Sequence, residues 1–199
     1  MPSKLPLSKQ YAETTLVEYF KLSNIVELSL AHLSIPVKDI ADSHYRIYVG
    51  RSDSLAAKLP DSVQKRWMNA SLSGLLLVGS SVKEIWVSAA EAERSQGRER
   101  FTIAHELGHF LLHSDESTSA SIFFACREKD IHSTVSNRNR RGKESEANRF
   151  AAELLMPERL VEQLAQRWKA SIPKMAHRFD VSAEAMGIRL TQLGFPPVL

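Results

Sequence analysis

His105-Glu106-Leu107-Gly108-His109 stands near the middle of the chain, followed by Phe110-Leu111-Leu112-His113. Two histidines four apart, with a glutamate directly after the first, form the spacing of zinc proteases. On an α-helix four residues advance about 400° and about 6 Å, so His105 and His109 leave nearly the same face and can point at one cation. Glu106 lies about 100° around the helix from His105. That offset takes it off the shared ligand vertex but leaves it within reach of a water at the cation.

The flanks support a helix from about Arg98 to His113. Ile103, Leu107, Phe110 and Leu111 recur at helical spacing and predict the buried stripe. Gly108 costs about 1 kcal/mol relative to alanine inside a helix, and close approach of another backbone or of the cation would account for it. A glutamate on such a buried helix is hard to satisfy unless it serves a metal site.

A catalytic zinc takes three protein ligands and keeps one position open. The candidates for the third ligand are Glu144, Glu146, Glu153, His113 and Cys126. His113 lies two turns past His105, a rise of about 12 Å, too far for one shared ion; a place on the last helical turn suits its charge instead. Cys126 reads better as a packed strand thiol. The remaining stretch is Glu-Ser-Glu-Ala-Asn-Arg-Phe-Ala-Ala-Glu-Leu-Leu-Met-Pro, residues 144–157. Read as an amphipathic helix over Glu144–Leu155, it turns Phe150, Ala151, Leu154 and Leu155 to the core and sets Glu144 and Asn148 on one face. Glu146 is rotated about 200° from Glu144. Glu144 is therefore the preferred ligand and Glu146 the runner-up. The competing reading of Glu144 is an acidic residue that simply favours the helix dipole. Asn148 is placed to hold a ligating histidine.

Outward from these helices the pattern is mixed. Apolar positions across 12–33 suit one long helix or two short ones, ended by Pro36. Val37–Ala41 reads as a helical turn, and Tyr45–Val49 as a strand ended by Gly50. Leu72–Val78 and Glu84–Val87 form a hairpin pair around Gly79-Ser-Ser. Residues 52–68 carry little pattern. Residues 114–143 are polar and irregular, with a strand candidate at Ile122–Cys126. The basic run Asn137–Lys143 reads as a solvated loop in preference to a phosphate contact. Pro157 opens a further helix at its first position. Ser171–Leu193 reads as two short helices around Asp180-Val181-Ser182.

The chain has 199 residues, 43% hydrophobic and 25% charged, with a net charge of +3. Such a length buries a core without staples, and the charge is too slight to imply nucleic acid by itself. One cysteine excludes an internal disulfide framework and suits a reducing compartment. Without an apolar signal core or a run of about 18 apolar residues, a cytoplasmic protein with no membrane partner is expected.

Arg98–His113 together with Glu144–Pro157 resembles the ImmA/IrrE metallopeptidases. The resemblance runs from about Ile35 to the C-terminus. It takes in Ser73-Gly-Leu-Leu and the tail Phe179-Asp-Val-Ser-Ala-Glu-Ala-Met-Gly-Ile-Arg-Leu. It implies an α+β, zincin-like (gluzincin-type) core of helices on a small mixed sheet, with an N-terminal helical segment at 1–34, the peptidase core at 35–160 and a helix-turn-helix-like tail at 161–199. It further implies a cytoplasmic zinc endopeptidase that cuts a helix-turn-helix repressor and so induces phage, mobile-element or stress genes. By position, the resemblance makes His105, His109 and Glu144 the ligands of one Zn2+ per chain and Glu106 the general base.

Residues 1–34 match no feature of that family and, with the 114–143 loop, are candidate gates or partner contacts. An Arg or His within 114–143 would stabilise the oxyanion, and a strand of the 72–87 hairpin would hold an extended substrate by edge pairing. The alternative is a DNA-binding or protein-interaction regulator whose zinc site is not used for proteolysis. Against the DNA-binding form, the second tail helix offers only Arg189 as a contact where readout needs several. Strong, specific nucleic-acid binding is not expected, and packing or substrate docking is the favoured role of the tail.

Overall fold

The computed structural model describes residues 5–68, 70–114, 122–127 and 138–196, with Arg66, 122–127 and 138–140 described as backbone only. It is a mixed α+β fold, mostly helical, built on a small mixed sheet. The strands are β1 (Tyr48–Ser52), β2 (Leu72–Val78), β3 (Lys83–Ser88) and β4 (Ile122–Arg127), in the order β1-β3-β2-β4. β1 runs parallel to β3, and β2 is antiparallel to both β3 and β4.

β2 is interior and covered on both faces. That explains its near-continuous apolar run, since neither face meets water. Leu76 packs into the main core, while Leu75 belongs to a second cluster with Trp67, Leu59 and Leu55. Because β2 and β3 each have partners on both sides, edge pairing of a substrate to the 72–87 hairpin is ruled out; the outer strands are β1 and β4.

The motif helix α5 (Gln96–His113) follows the short helix α4 (Ala89–Arg94), and Ser95 caps it by accepting from Arg98 N–H. Helix α6 (Arg138–Leu155) crosses α5 at close quarters. A Cβ on Gly108 would sit 3.2 Å from Ala147 Cα and 3.0 Å from Phe150 Cδ1. Backbone approach, one of the two reasons foreseen for this glycine, is the observed one. Helix α6 begins six residues earlier than its apolar stripe suggests, because the basic run forms its first turns.

At the N-terminal end, α1 (Leu7–Phe20) starts before the expected 12 and stops at Lys21, whose φ of 55° lies in the left-handed region. Single 3₁₀ turns at Ile25–Glu27 and Leu30–His32 replace the rest of the anticipated helix. A helical turn, α2 (Val37–Asp39), runs into a π turn at Ile40–His44. The strand expected at Tyr45 begins instead at Tyr48. Arg46 turns the backbone with φ of 56°, and Tyr45 faces α1, its hydroxyl 2.8 Å from Thr15 Oγ1. Gly50 lies inside β1 and does not end it; a Cβ there would meet the Trp86 ring at 2.6 Å. The weakly patterned 52–68 region carries α3 (Asp61–Trp67).

Pro157 caps α7 (Glu158–Trp168) from outside the helix, one residue before the position expected for it. The tail forms α8 (Ile172–Phe179) and α9 (Ala183–Gln192), with Ser182 capping α9 through its hydroxyl. The core is continuous from Ala12 and Leu16 of α1, through Leu107 and Phe150, to Phe179 and Leu190 of the tail.

Candidate metal centre

Helices α5 and α6 bring three side chains to one point. His105, His109 and Glu144 offer ligand atoms within 4.8 Å of one another, and all three residues are buried. The Nε2 atoms of His105 and His109 are 3.1 Å apart. Glu144 Oε2 lies 3.2 Å from His105 Nε2 and 3.4 Å from His109 Nε2.

A tetrahedral ion with bonds of about 2.0–2.1 Å has ligand–ligand edges of about 3.3–3.4 Å. The three separations fit that triangle. The protonation pattern fits as well. Asn148 Oδ1 accepts from His105 Nδ1 at 2.8 Å, which leaves the Nε2 lone pair of a neutral ring directed into the triangle. Burial lowers His109 to about 4, helped by the neighbouring His105 and opposed by Glu144. Burial raises Glu144, but hydrogen bonds and charge from the two histidines outweigh it and hold its carboxyl well below the usual range. Neutral imidazole and ionised carboxylate are the forms that bind a metal.

Glu106 stands beside this triangle, fully buried, and among the described residues neither carboxylate oxygen has a hydrogen-bond partner. Burial, reinforced by the charge of Glu144, raises it well above the ordinary carboxyl value. A carboxylate left so exposed to desolvation is costly unless it serves the chemistry at the site.

Strand β2 makes the space for it. A Cβ on Gly74 would fall 2.5 Å from Glu106 Oε1 and 2.6 Å from Thr102 Cγ2. Sequence reasoning assigned no role to Gly74. The signal was a glycine inside an otherwise apolar strand, which marks close approach of another group. Ser73 beside it is fully buried and donates to Glu91 Oε1 at 3.0 Å.

The other third-ligand candidates lie elsewhere. Glu146 points outward, its side chain 53% exposed and 3.5 Å from His113 Nε2. His113 also donates to the Lys143 carbonyl at 3.2 Å. Glu153 is buried in a bidentate pair with Arg189, at 3.2 and 2.6 Å, and Arg189 Nε donates to the Met156 carbonyl. Arg189 is 4% exposed, which removes the one base or phosphate contact expected of the second tail helix. The turn between α8 and α9 docks on the start of α5, where Arg100 Nε donates to the Asp180 carbonyl at 2.8 Å. The Cys126 thiol and, apart from the exposed Arg141, the Arg and His side chains of 114–143 from which an oxyanion donor was expected lie outside the described residues.

Residues 81–191 match the Peptidase M78 family, described as the IrrE N-terminal-like domain. The chain belongs to the ImmA/IrrE family of metallopeptidases. It is 30% identical over 115 residues to the radiation response metalloprotease IrrE of Deinococcus radiodurans, covering 56% of this chain and 31% of that protein. Its counterpart in Deinococcus deserti is 33% identical over 105 residues, 51% of this chain and 34% of the relative. The chain thus spans about a third of the length of these curated relatives. A Mycobacterium tuberculosis transcriptional regulator superposes with a TM-score of 0.53 at 19% identity, over 94% of this chain and 47% of that one; at this identity the likeness concerns the fold alone. Among the described residues, no helix is long and apolar enough to cross a membrane.

Proposed function

We propose that this ImmA/IrrE member is a zinc-dependent endopeptidase with a zincin-like centre, and that it cuts a helix-turn-helix repressor at one site. The observation that carries the reading is the buried triangle of His105, His109 and Glu144 with the unpartnered carboxylate of Glu106 beside it. A zinc ion bound there supplies a Lewis acid and lowers the pKa of a water toward about 7.

The chain's own residues do the rest. Glu106, raised by burial, is tuned to take a proton from the attacking water and pass it to the leaving amine. Its carboxylate lies over Gly74 on the sheet side, in space that a Cβ on that glycine would fill. Asn148 holds His105 in the tautomer that presents Nε2. The tight α5–α6 contact at Gly108 keeps Glu144 within 3.4 Å of both imidazoles.

Repressor cleavage and a cytoplasmic location rest on family resemblance. A cytosolic protease must also be selective, through docking surfaces or a gated site. Incubation with casein and with a purified helix-turn-helix repressor tests this: the protein leaves casein intact and yields two repressor fragments. Rapid casein digestion, or an uncut repressor under zinc-loaded conditions for every repressor encoded nearby, overturns it.

A further inference from the structure

A cavity of about 920 Å³ opens beside the metal centre, lined by α5, α6, α9 and the start of α1, with Glu144 and Asn148 on its wall. Helix α6 presents one stripe to it. Arg141, Ser145, Asn148, Arg149 and Ala152 line its middle within an arc of about 100° on a helical wheel, with Glu144 and Glu153 at the two edges. Opposite them, α9 contributes Ala185 and Ile188, the latter an exposed aliphatic at 45%.

Five acidic and five basic side chains line the cavity, so its formal charges balance, but they are not all paired with one another. Glu158 pairs with Lys9, Glu184 with Arg98 and Glu153 with Arg189. Glu144 faces the two histidines, and Glu91 accepts from Ser73. Arg141 and Arg149 remain: both are exposed, and neither has an ion-pair partner among the described residues. Eight residues apart on one helix, they stand about 12 Å from each other along its axis. They straddle the level of Glu144.

We infer that this groove is the substrate channel and that it selects an extended acidic peptide: two carboxylates about four residues apart meet Arg141 and Arg149, and an apolar side chain between them meets Ile188. The spacing follows from the rise of about 3.3 Å per residue in an extended chain, and guanidinium–carboxylate pairing supplies the geometric preference. A nucleic acid would also answer to two arginines, but it has no use for the aliphatic wall of α9. The inference rests on the endopeptidase reading only in calling the groove a substrate channel; the binding preference stands on the two arginines that no lining carboxylate pairs.

The test is fluorescence anisotropy with the zinc-loaded Glu106→Gln protein, so that bound peptide stays whole. The probes are two labelled peptides of equal length, one a leucine-rich sequence carrying glutamates four apart and the other with lysines in their places. The glutamate peptide binds at least about tenfold more tightly, and Arg141→Ala and Arg149→Ala each weaken it about fivefold without altering the lysine peptide. Arg149→Glu reverses the preference. Equal binding of the two peptides, or no effect of either arginine, overturns the inference. So does a labelled DNA duplex that binds more tightly and loses binding on the same substitutions. Charge-selective binding by a wild type that hydrolyses nothing keeps the groove and removes the protease. Repressor cleavage with no charge preference does the reverse.

Discussion

Gly74 and Glu106 occupy one space: a Cβ on the strand glycine would stand 2.5 Å from Glu106 Oε1. The general base of the proposed reaction is thus positioned by the absence of a side chain on β2. Gly74→Ala forces the carboxylate aside without touching a ligand. Zinc content stays near one per chain, and hydrolysis falls about 10²-fold, the scale of a displacement of about 1 Å at a reacting group. Metal analysis alongside a cleavage time course checks both halves. Undiminished hydrolysis means that Glu106 does not need its present position.

The two acidic residues at the start of the 144–157 stretch behave differently on truncation. Glu144→Ala removes one corner of the triangle and strips most of the zinc on dialysis. Glu146→Ala leaves zinc content unchanged, since its carboxylate lies out by His113. Asn148→Ala weakens metal affinity about 10–100-fold through the freed His105 ring. Elemental analysis of the dialysed variants ranks them. A metal-poor Glu146→Ala protein with a zinc-replete Glu144→Ala would contradict the assignment.

These differences trace what the sequence could and could not convey. Periodicity made the motif helix, the 72–87 hairpin, the tail helices and the side of α6 that carries Glu144 legible, because each repeats a pattern over two turns or a full strand. It could not place β4 beyond β2, since pairing partners leave no mark on a single strand. The strand at 45–49 was misplaced because Tyr45 is an apolar residue spent on α1, and the turn at Arg46 has no glycine or asparagine to announce it. Arg189 looked like a free cation on a recognition helix because its partner, Glu153, lies 36 residues away. N-terminal residues that match no family feature proved to be core: Ala12 and Leu16 are buried against the rest, so deletion of 1–34 removes packing as well as any gate.

The stability of the metal-free protein carries a pH signature. His109 is held near 4, below its ordinary 6.5. The folded state therefore binds fewer protons than the unfolded one between those values. This contribution is complete above about pH 6.5 and is lost as pH falls toward about 4. Glu106 acts in the opposite sense: raised well above 4.5, it costs stability as pH rises past 4.5. The difference in melting temperature between Glu106→Gln and wild type isolates the second effect. In chelator, the variant gains on wild type by roughly 3–5 °C per pH unit above 4.5, until the buried carboxyl ionises. A difference that does not change between pH 4.5 and 6.5 would show that Glu106 is not desolvated.

The tail is fastened by a buried ion pair. Glu153→Ala leaves Arg189, 4% exposed, without its bidentate partner. Breaking such a pair from one side costs about 3 kcal/mol or more, a fall of about 6–12 °C in a chain of this size. Calorimetry reads the loss. A variant that melts within a degree of wild type would mean that the pair is open in solution.

The most direct test of the account is the rate of repressor cleavage by the Glu106→Gln protein at matched zinc content. Glu106 is no ligand in the triangle, so the variant keeps its zinc, and its rate falls by about 10²–10⁴-fold because the group that moves the proton is gone. A variant that holds zinc and cuts as fast as wild type would contradict the proposed mechanism outright.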